Sequence, residues 1–222
     1  MQVEACVFDA YGTLLDLSGV TARLDHQLGD SAAQVLALWR AKQLEYCWLR
    51  TVMHRHADFD TVTRQALEHA LETLGLRDPA LERTLLDAFR LLEPYPDAVP
   101  LLRALRAQGL RIAVLSNGVP TTLATTLKHA ALATLLDVVL SVEDVGRFKP
   151  APEVYRLATT ALDLPPARIM FVSAHGWDVA GAANAGFRGV LVNRAGAPME
   201  RLPAGAERVV GSLAEVASLV TA

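Results

Sequence analysis

The sequence predicts an α/β protein: a parallel β-sheet with helices on both faces and a helical unit inserted after the first strand. Three observations carry this. Beyond residue 97, short apolar runs alternate with helical stretches of about ten residues, as parallel strands joined by crossover helices do. One further apolar run, Ala5-Cys6-Val7-Phe8, stands alone near the start, and the about eighty residues that follow its loop read as helix. Pro94, Pro96 and Pro100 then punctuate the return to the alternating part.

Taken in order, the strand at roughly 3–8 delivers Asp9 at its carboxyl end, with Gly12 just beyond the bulky Tyr11. Ligands of open parallel sheets sit at that end. Asp9 by itself reads either as a nucleophile or metal ligand, or as an ordinary strand-ending Asp that starts a turn. Over residues 31–52, Leu36, Leu44, Cys47 and Trp48 recur at helical spacing and form an apolar stripe. Arg40 falls inside that stripe. It either lies at the edge with its stem packed and its head in water, or faces inward and demands an anion. His54-Arg55-His56 reads as a surface loop rather than a zinc site, because no third ligand is near. Two helices follow, near 60–74, closed by Gly75, and near 79–92, opened by Pro79.

The alternating part begins with a helix near 98–107 that ends at Gly109. Leu110–Leu115 is a strand stopped by Ser116-Asn117-Gly118, and a helix near 120–130 leads to a strand at about 136–141. Gly146-Arg147-Phe148-Lys149-Pro150 forms the next loop, before a helix near 152–162. The strand Ile169–Val172 ends at Ser173, a helix runs from about Asp178 to Gly186, and Gly189–Val192 closes the strand series. A final helix is expected near 212–220.

The 222 residues suit one large domain or two smaller ones with a substantial core. A composition 52% hydrophobic and 20% charged argues against disorder. With 21 basic and 24 acidic residues, a net charge of −3 offers no field for nucleic acid or an anionic membrane, and neither is expected as a partner. Cys6 and Cys47, far apart and in apolar surroundings, read as reduced, buried thiols. No signal-like start and no run of about 18 apolar residues is visible, so a cytoplasmic location is expected.

Asp9, Ser116-Asn117, Lys149 and Ser173/Asp178 each follow a strand or lie in the loop after one, and right-handed crossovers let these loops converge. Each has an ordinary reading as turn, cap or solvated loop residue. The order Asp9…Thr13, Ser116-Asn117, Lys149-Pro150, Asp178 resembles the haloacid dehalogenase superfamily. Two stretches are very similar to (S)-2-haloacid dehalogenases: Phe8-Asp9-Ala10-Tyr11-Gly12-Thr13-Leu14, and Trp39-Arg40-Ala41-Lys42-Gln43-Leu44-Glu45-Tyr46 with Trp48-Leu49-Arg50. The likeness spans nearly the full chain. It implies a Rossmann-like core of residues 1–15 and 97–222, a helical-bundle cap of residues 16–96, and a homodimer.

The resemblance also implies a reaction. Asp9 attacks C2 of a short (S)-2-halocarboxylate with inversion, and water then hydrolyses the ester to the (R)-2-hydroxy acid, with no cofactor and no metal. Asp178 would orient or activate the water, helped by Ser173 and Lys149, and Lys149 would keep Asp9 ionised. Thr13 would hold Asp9, and Tyr155 matches a position that supports the lysine. Ser116 and the backbone amides near Ala10 and Tyr11 would bind the substrate carboxylate. Arg40, Asn117 and Trp177 would cradle the halide, and Tyr11, Leu44 and Phe59 would line the apolar wall around C3.

Two departures sharpen the reading. Phosphatases of this superfamily carry a general acid two residues after the nucleophile, where this chain has Tyr11. They also present more acidic metal loops than the single Asp178 offers, so a phosphatase is the less favoured enzyme reading. A non-catalytic binding or regulatory protein is disfavoured by the retention of Asp9, Lys149 and Asp178 together. In Ser173-Ala174-His175-Gly176-Trp177-Asp178, the best-matched dehalogenases have Asn at the position of His175. His175 either donates to water or halide, with a pH-sensitive charge, or simply bonds a loop carbonyl. A larger ring there would tighten the pocket for small halides, extending activity to haloacetates including fluoroacetate.

Overall fold

The computed structural model describes residues 2–22, 28, 29 and 31–220. Six strands, β1 (Ala5–Phe8), β2 (Arg111–Ser116), β3 (Val138–Ser141), β4 (Ile169–Ser173), β5 (Arg188–Val192) and β6 (Arg208–Val210), form one parallel sheet in the order β3-β2-β1-β4-β5-β6. Every residue of β1 and β4 is buried, which is why those strands read as unbroken apolar runs. Strand order reverses between β1 and β4, so the crevice above their carboxyl ends is the place where such sheets bind ligands. Phe8 pairs with both Val114 and Val172. Asp9, Leu115-Ser116 and Ser173 therefore emerge side by side at that edge.

The helices are α1 (Ser18–Ala22), α2 (Ser31–Val52), α3 (Phe59–Thr73), α4 (Pro79–Arg90), α5 (Ala98–Ala107), α6 (Pro120–His129), α7 (Pro152–Leu162), α8 (Gly176–Asn184) and α9 (Val216–Leu219). Helices α1–α5 lie between β1 and β2, the first four of them before Pro94. Of the stretch expected to be helical throughout, residues 23–27 and 30 lie outside the described residues. The chain leaves and re-enters the sheet region side by side: Asp16 N–H donates to Glu93 O (2.8 Å) and Tyr95 N–H to Leu14 O (2.9 Å), around a Leu15–Pro94 bridge. Among the described residues no helix is long and apolar enough to cross a membrane. Cys6 and Cys47 are free and buried, as expected.

Four expectations need correction. The buried stripe of α2 runs through Ala32, Val35, Trp39, Gln43 and Cys47, while Leu36 and Leu44 are half-buried and Trp48 is exposed. The stripe is turned by about one residue, because the bulky Trp39 and not its neighbours seats against α3, donating its Nε1–H to Thr63 O at 2.8 Å. The strand series does not close at Val192, since β6 adds an edge strand that its three residues and exposed Val209 made unreadable. Helix α8 starts at Gly176 rather than Asp178, which places Asp178 in its first turn. The last predicted helix is a 3₁₀ turn at Leu213–Glu215, with a Ser212/Glu215 capping box, continued by the single turn α9.

Helices α7 and α8 pack on each other over one face of the sheet, and a glycine makes their contact possible. A Cβ at Gly181 would lie 2.6 Å from Pro150 Cβ and would also overlap the Tyr155 hydroxyl. Gly181→Ala is accordingly expected to destabilise the fold by about 1–3 kcal/mol through overpacking. Urea unfolding of the variant beside the parent measures this, and an unchanged midpoint would contradict the tight packing.

Candidate active site

Asp9 follows β1 directly, and its main-chain N–H is fixed to Val172 O at 3.0 Å. The turn after it binds the N–H groups of Gly12, Thr13, Leu14 and Leu15 into main-chain bonds, and leaves those of Ala10 and Tyr11 outside them. Gly12 holds a φ of +85°, the left-handed region that favours glycine, and a Cβ there would press on the His175 ring at 3.2 Å. Thr13 Oγ1 donates to Asp9 Oδ2 at 2.8 Å and accepts from Ala174 N–H at 2.9 Å. One hydroxyl thus ties Asp9 to the loop after β4.

Lys149, 1% exposed, reaches the centre from the loop before α7. Its ammonium donates to Asp9 Oδ1 (2.8 Å), Asp178 Oδ2 (2.7 Å) and Leu115 O (3.0 Å), which uses all three protons. Its own backbone N–H donates to Asn117 Oδ1 at 3.0 Å, so the loop after β2 holds the loop that carries the lysine. Tyr155 does not support Lys149 directly. The lysine has no proton left for it, and the phenol instead donates to Asp178 Oδ1 at 2.7 Å.

The two carboxylates share one cation and differ in proton affinity. Burial disfavours the charge of Asp9, yet the Lys149 ammonium, then His175 and the bonds from Lys149 and Thr13, outweigh it and hold its pKa below the ordinary value. For Asp178, burial together with the charge of Asp9 outweighs Lys149 and Tyr155, and its pKa is raised. Burial also works against the Lys149 charge, but Asp178 and Asp9 overcome it and raise its pKa.

Around this centre, Ser116 Oγ accepts from Gly118 N–H at 3.0 Å and keeps its own proton to donate. Gly118 is needed there, because a Cβ would lie 3.0 Å from the Tyr11 ring. Ser173 Oγ accepts from His175 N–H at 3.1 Å. Of the two readings of His175, the loop-carbonyl bond is present: Nε2 lies 2.9 Å from Tyr11 O and 3.8 Å from Asp9 Oδ2. Because the partner is a carbonyl, that nitrogen carries the proton. Its ring stacks on Trp177 (5.6 Å, 14°), and Trp177 meets Trp48 of α2 edge-on at 5.6 Å.

The inserted helices close the site from above. Tyr11 stacks on Phe89 (5.1 Å, 16°) and lies 5.7 Å from Phe59. Arg40 faces inward: its guanidinium lies over the Phe89 ring at 5.8 Å and donates to Gln43. Leu44, half-buried, follows one turn later. Phe89 escaped the sequence reading, since on α4 it shares the spacing of Leu81, Leu85 and Ala88 and looks like core. Gln43 left a signal, a polar residue midway between Trp39 and Cys47. A cleft of about 1300 Å³ opens at the opposite end of the sheet, near Glu4, Arg111 and Arg188, far from this constellation.

A family model described as haloacid dehalogenase-like hydrolase matches residues 3–186. The chain is 43% identical over 219 residues to (S)-2-haloacid dehalogenase 1 of Pseudomonas sp. (strain CBS-3), covering 98% of this chain and 96% of the relative. It is 34% identical over 202 residues to haloacetate dehalogenase H-2 of Moraxella sp. (strain B), covering 90% of each. Among solved structures, it superposes with a TM-score of 0.91 at 37% identity on the L-2-haloacid dehalogenase of Xanthobacter autotrophicus with chloropropionic acid covalently bound, covering 99% of this chain and 98% of that one.

The shared ammonium makes a measurable demand on stability. Lys149→Met leaves two buried carboxylates facing each other without a cation and should cost about 3–5 kcal/mol near neutral pH. The depressed pKa of Asp9 contributes stability present above its unfolded value of 3.8 and lost as pH falls through the lower folded value. In the variant, protonating a carboxylate relieves repulsion instead, so the gap to the parent should narrow between about pH 7 and about pH 4.5. Urea unfolding at both values reads this, and a gap that widens in acid would overturn the electrostatic account.

Proposed function

The chain belongs to the haloacid dehalogenase-like hydrolases, within the (S)-2-haloacid dehalogenase family, and from that premise we propose how its own residues carry out the reaction. It hydrolyses short (S)-2-haloalkanoic acids to (R)-2-hydroxyalkanoic acids through a covalent intermediate. An Asp9 oxygen attacks C2 opposite the halogen, the carbon–halogen electron pair leaves with the halide, and an Asp9 ester remains. Water then adds to the ester's carbonyl carbon, the bond to the substrate oxygen breaks, and that oxygen takes a proton as the product hydroxyl. One water is consumed, and Asp9 is restored.

The observation that carries this assignment is the pair of buried aspartates on one lysine, whose Nζ lies 2.8 Å from Asp9 Oδ1 and 2.7 Å from Asp178 Oδ2. A nucleophile must be ionised, and the ammonium beside Asp9 favours its charged form. The second carboxylate, Asp178, serves the hydrolytic water. Ser173 and Lys149 position that water and carboxylate. The substrate carboxylate is taken by Ser116 and the backbone N–H groups of Ala10 and Tyr11, which the main-chain bonds of the turn leave aside. Tyr11, Phe59 and Leu44 wall the substrate's C3, and Arg40, Asn117 and Trp177 receive the halide.

Phosphate-ester hydrolysis has no comparable support. It needs a proton donor beside the nucleophile, and burial pushes the Tyr11 phenol above its ordinary range. A hard cation wants several open oxygens, whereas three of the four carboxylate oxygens of Asp9 and Asp178 face Lys149 or Tyr155, and Thr13 takes the other. The donor set does not fit a metal, and no step is routed through one. The division into a core of residues 1–15 and 97–222 and a cap of 16–96 follows the paired strands of chain at Leu15 and Pro94. We read a homodimer from the exposed Leu49, Val52 and Met53 on α2 and the loop after it, and a cytoplasmic setting from the two unpaired thiols.

Chloride release from (S)-2-chloropropionate in EDTA, beside p-nitrophenyl phosphate with Mg²⁺, tests the reading. Full release in EDTA and no phosphatase activity are expected, and Asp9→Asn should reduce release to background. An Asp9→Asn enzyme of full activity would remove Asp9 from the nucleophile's role. A second expectation concerns leaving-group size. The His175 ring, fixed by Tyr11 O and Trp177 beside Asp9, narrows the halide space, so fluoroacetate should be turned over. His175→Asn should lower the fluoroacetate-to-chloroacetate rate ratio by roughly tenfold. Fluoroacetate turnover at background, with chloroacetate turned over well, would sink this part.

A further inference from the structure

Arg40 has an unusual set of partners. Among the described residues no carboxylate lies within ion-pair distance of it, although it is half-buried beneath the inserted helices. Its hydrogen-bond partner is Gln43, one turn on and fully buried. Arginine can only donate, so Gln43 must present its carbonyl oxygen to the guanidinium and its amide nitrogen elsewhere. That nitrogen donates to Thr63 Oγ1 on α3, itself 4% exposed. Thr63 also accepts the Trp39 indole N–H at its main-chain oxygen, at 2.8 Å. Both residues that flank Arg40 on the buried face of α2 are therefore tied to one residue of α3. The guanidinium also lies over the Phe89 ring, which packs against Tyr11 and Trp39 as well.

We propose that Gln43 and Thr63 are positioning residues for the leaving-group site: a neutral relay that fixes the Arg40 guanidinium over Phe89 while leaving its charge unneutralised for the departing halide. This rests on the reading of Arg40 as a halide contact and adds to it the residues that aim it. The physical reason for neutrality is direct. A glutamate at position 43 could reach the same guanidinium with a stronger, charge-assisted bond, and would then compete with the halide for it. A carbonyl oxygen orients the fork at small cost to its field, and a wandering arginine in a desolvated site would lose the benefit of preorganisation. Gln43 reaches neither Asp9 nor Lys149 by any hydrogen bond, so its effect passes through Arg40.

The test uses the full-length enzyme and two readouts that a merely structural role would not move. These are the ratio of turnover of (S)-2-chloropropionate to its bromo analogue, and inhibition by added chloride and bromide. Gln43→Glu is expected to weaken halide inhibition and to lower the chloro-to-bromo ratio, each by roughly tenfold, because the poorer leaving group depends more on the cation. Thr63→Val should move both in the same direction by a smaller factor, and Thr63→Ser should restore them. If Gln43→Glu does not fold, the Val and Ser pair at position 63 decides the matter. Arg40→Lys separates the two levels of inference. If it shifts both readouts while the position 43 and 63 variants leave them unchanged, the relay is overturned and the Arg40 assignment stands. If Arg40→Lys leaves both readouts unchanged, the Arg40 assignment fails and the relay with it.

Discussion

The structure depends first on one buried ammonium placed between two buried aspartates. Removing a carboxylate from water costs several kcal/mol unless a partner repays it, and here two are removed beside each other. Lys149 makes this tolerable by meeting both at hydrogen-bond distance and spending its third proton on Leu115 O. The contacts reach the residue after β1, the end of β2 and the first turn of α8, so the lysine also fixes these three relative to one another. Asn117 and Gly181 serve the same centre at one remove. The first holds the backbone of Lys149, and the second leaves room for the tyrosine that satisfies the remaining oxygen of Asp178.

A second constraint joins the sheet to the helices above it. Tyr11 stands two residues past Asp9, stacks on Phe89 and meets Phe59 at a tilt, and these two rings come from different inserted helices. Aromatic packing there buries a large apolar area close to Asp9. The same residue, by being a buried phenol and not an acid, withholds a proton from any leaving group. A halide, which departs with its electron pair and needs no proton, is the leaving group suited to such a wall.

Much of this was legible in the sequence because parallel strands buried on both faces read as plain apolar runs, and the polar residues that end them line up at one edge. Asp9, Lys149 and the loop after β4 were brought to one edge of the sheet that way, while their roles came from the family resemblance. What escaped follows from physics that spacing does not encode. The phase of α2 is decided by where Trp39 seats, not by how many leucines lie nearby. Tyr155 could be placed near Lys149, but its partner follows only from counting the lysine's protons in three dimensions. Phe89 has the same spacing as its core neighbours and differs from them only in what lies above it. The edge strand β6 is too short and too exposed to show an alternation.

The two cations of the site then appear as a deliberate contrast. Lys149 is a compact ammonium whose three protons are all committed, which suits a permanent structural charge that tunes the two aspartates. Arg40 is a planar fork with five donors, of which a neutral side chain takes one. The saturated cation lies in the loop before α7 and the open one on α2. In the proposed halide role, the Arg40 guanidinium is open to meet a charge that develops only as the carbon–halogen bond breaks, which is the condition for stabilising a transition state more than a ground state.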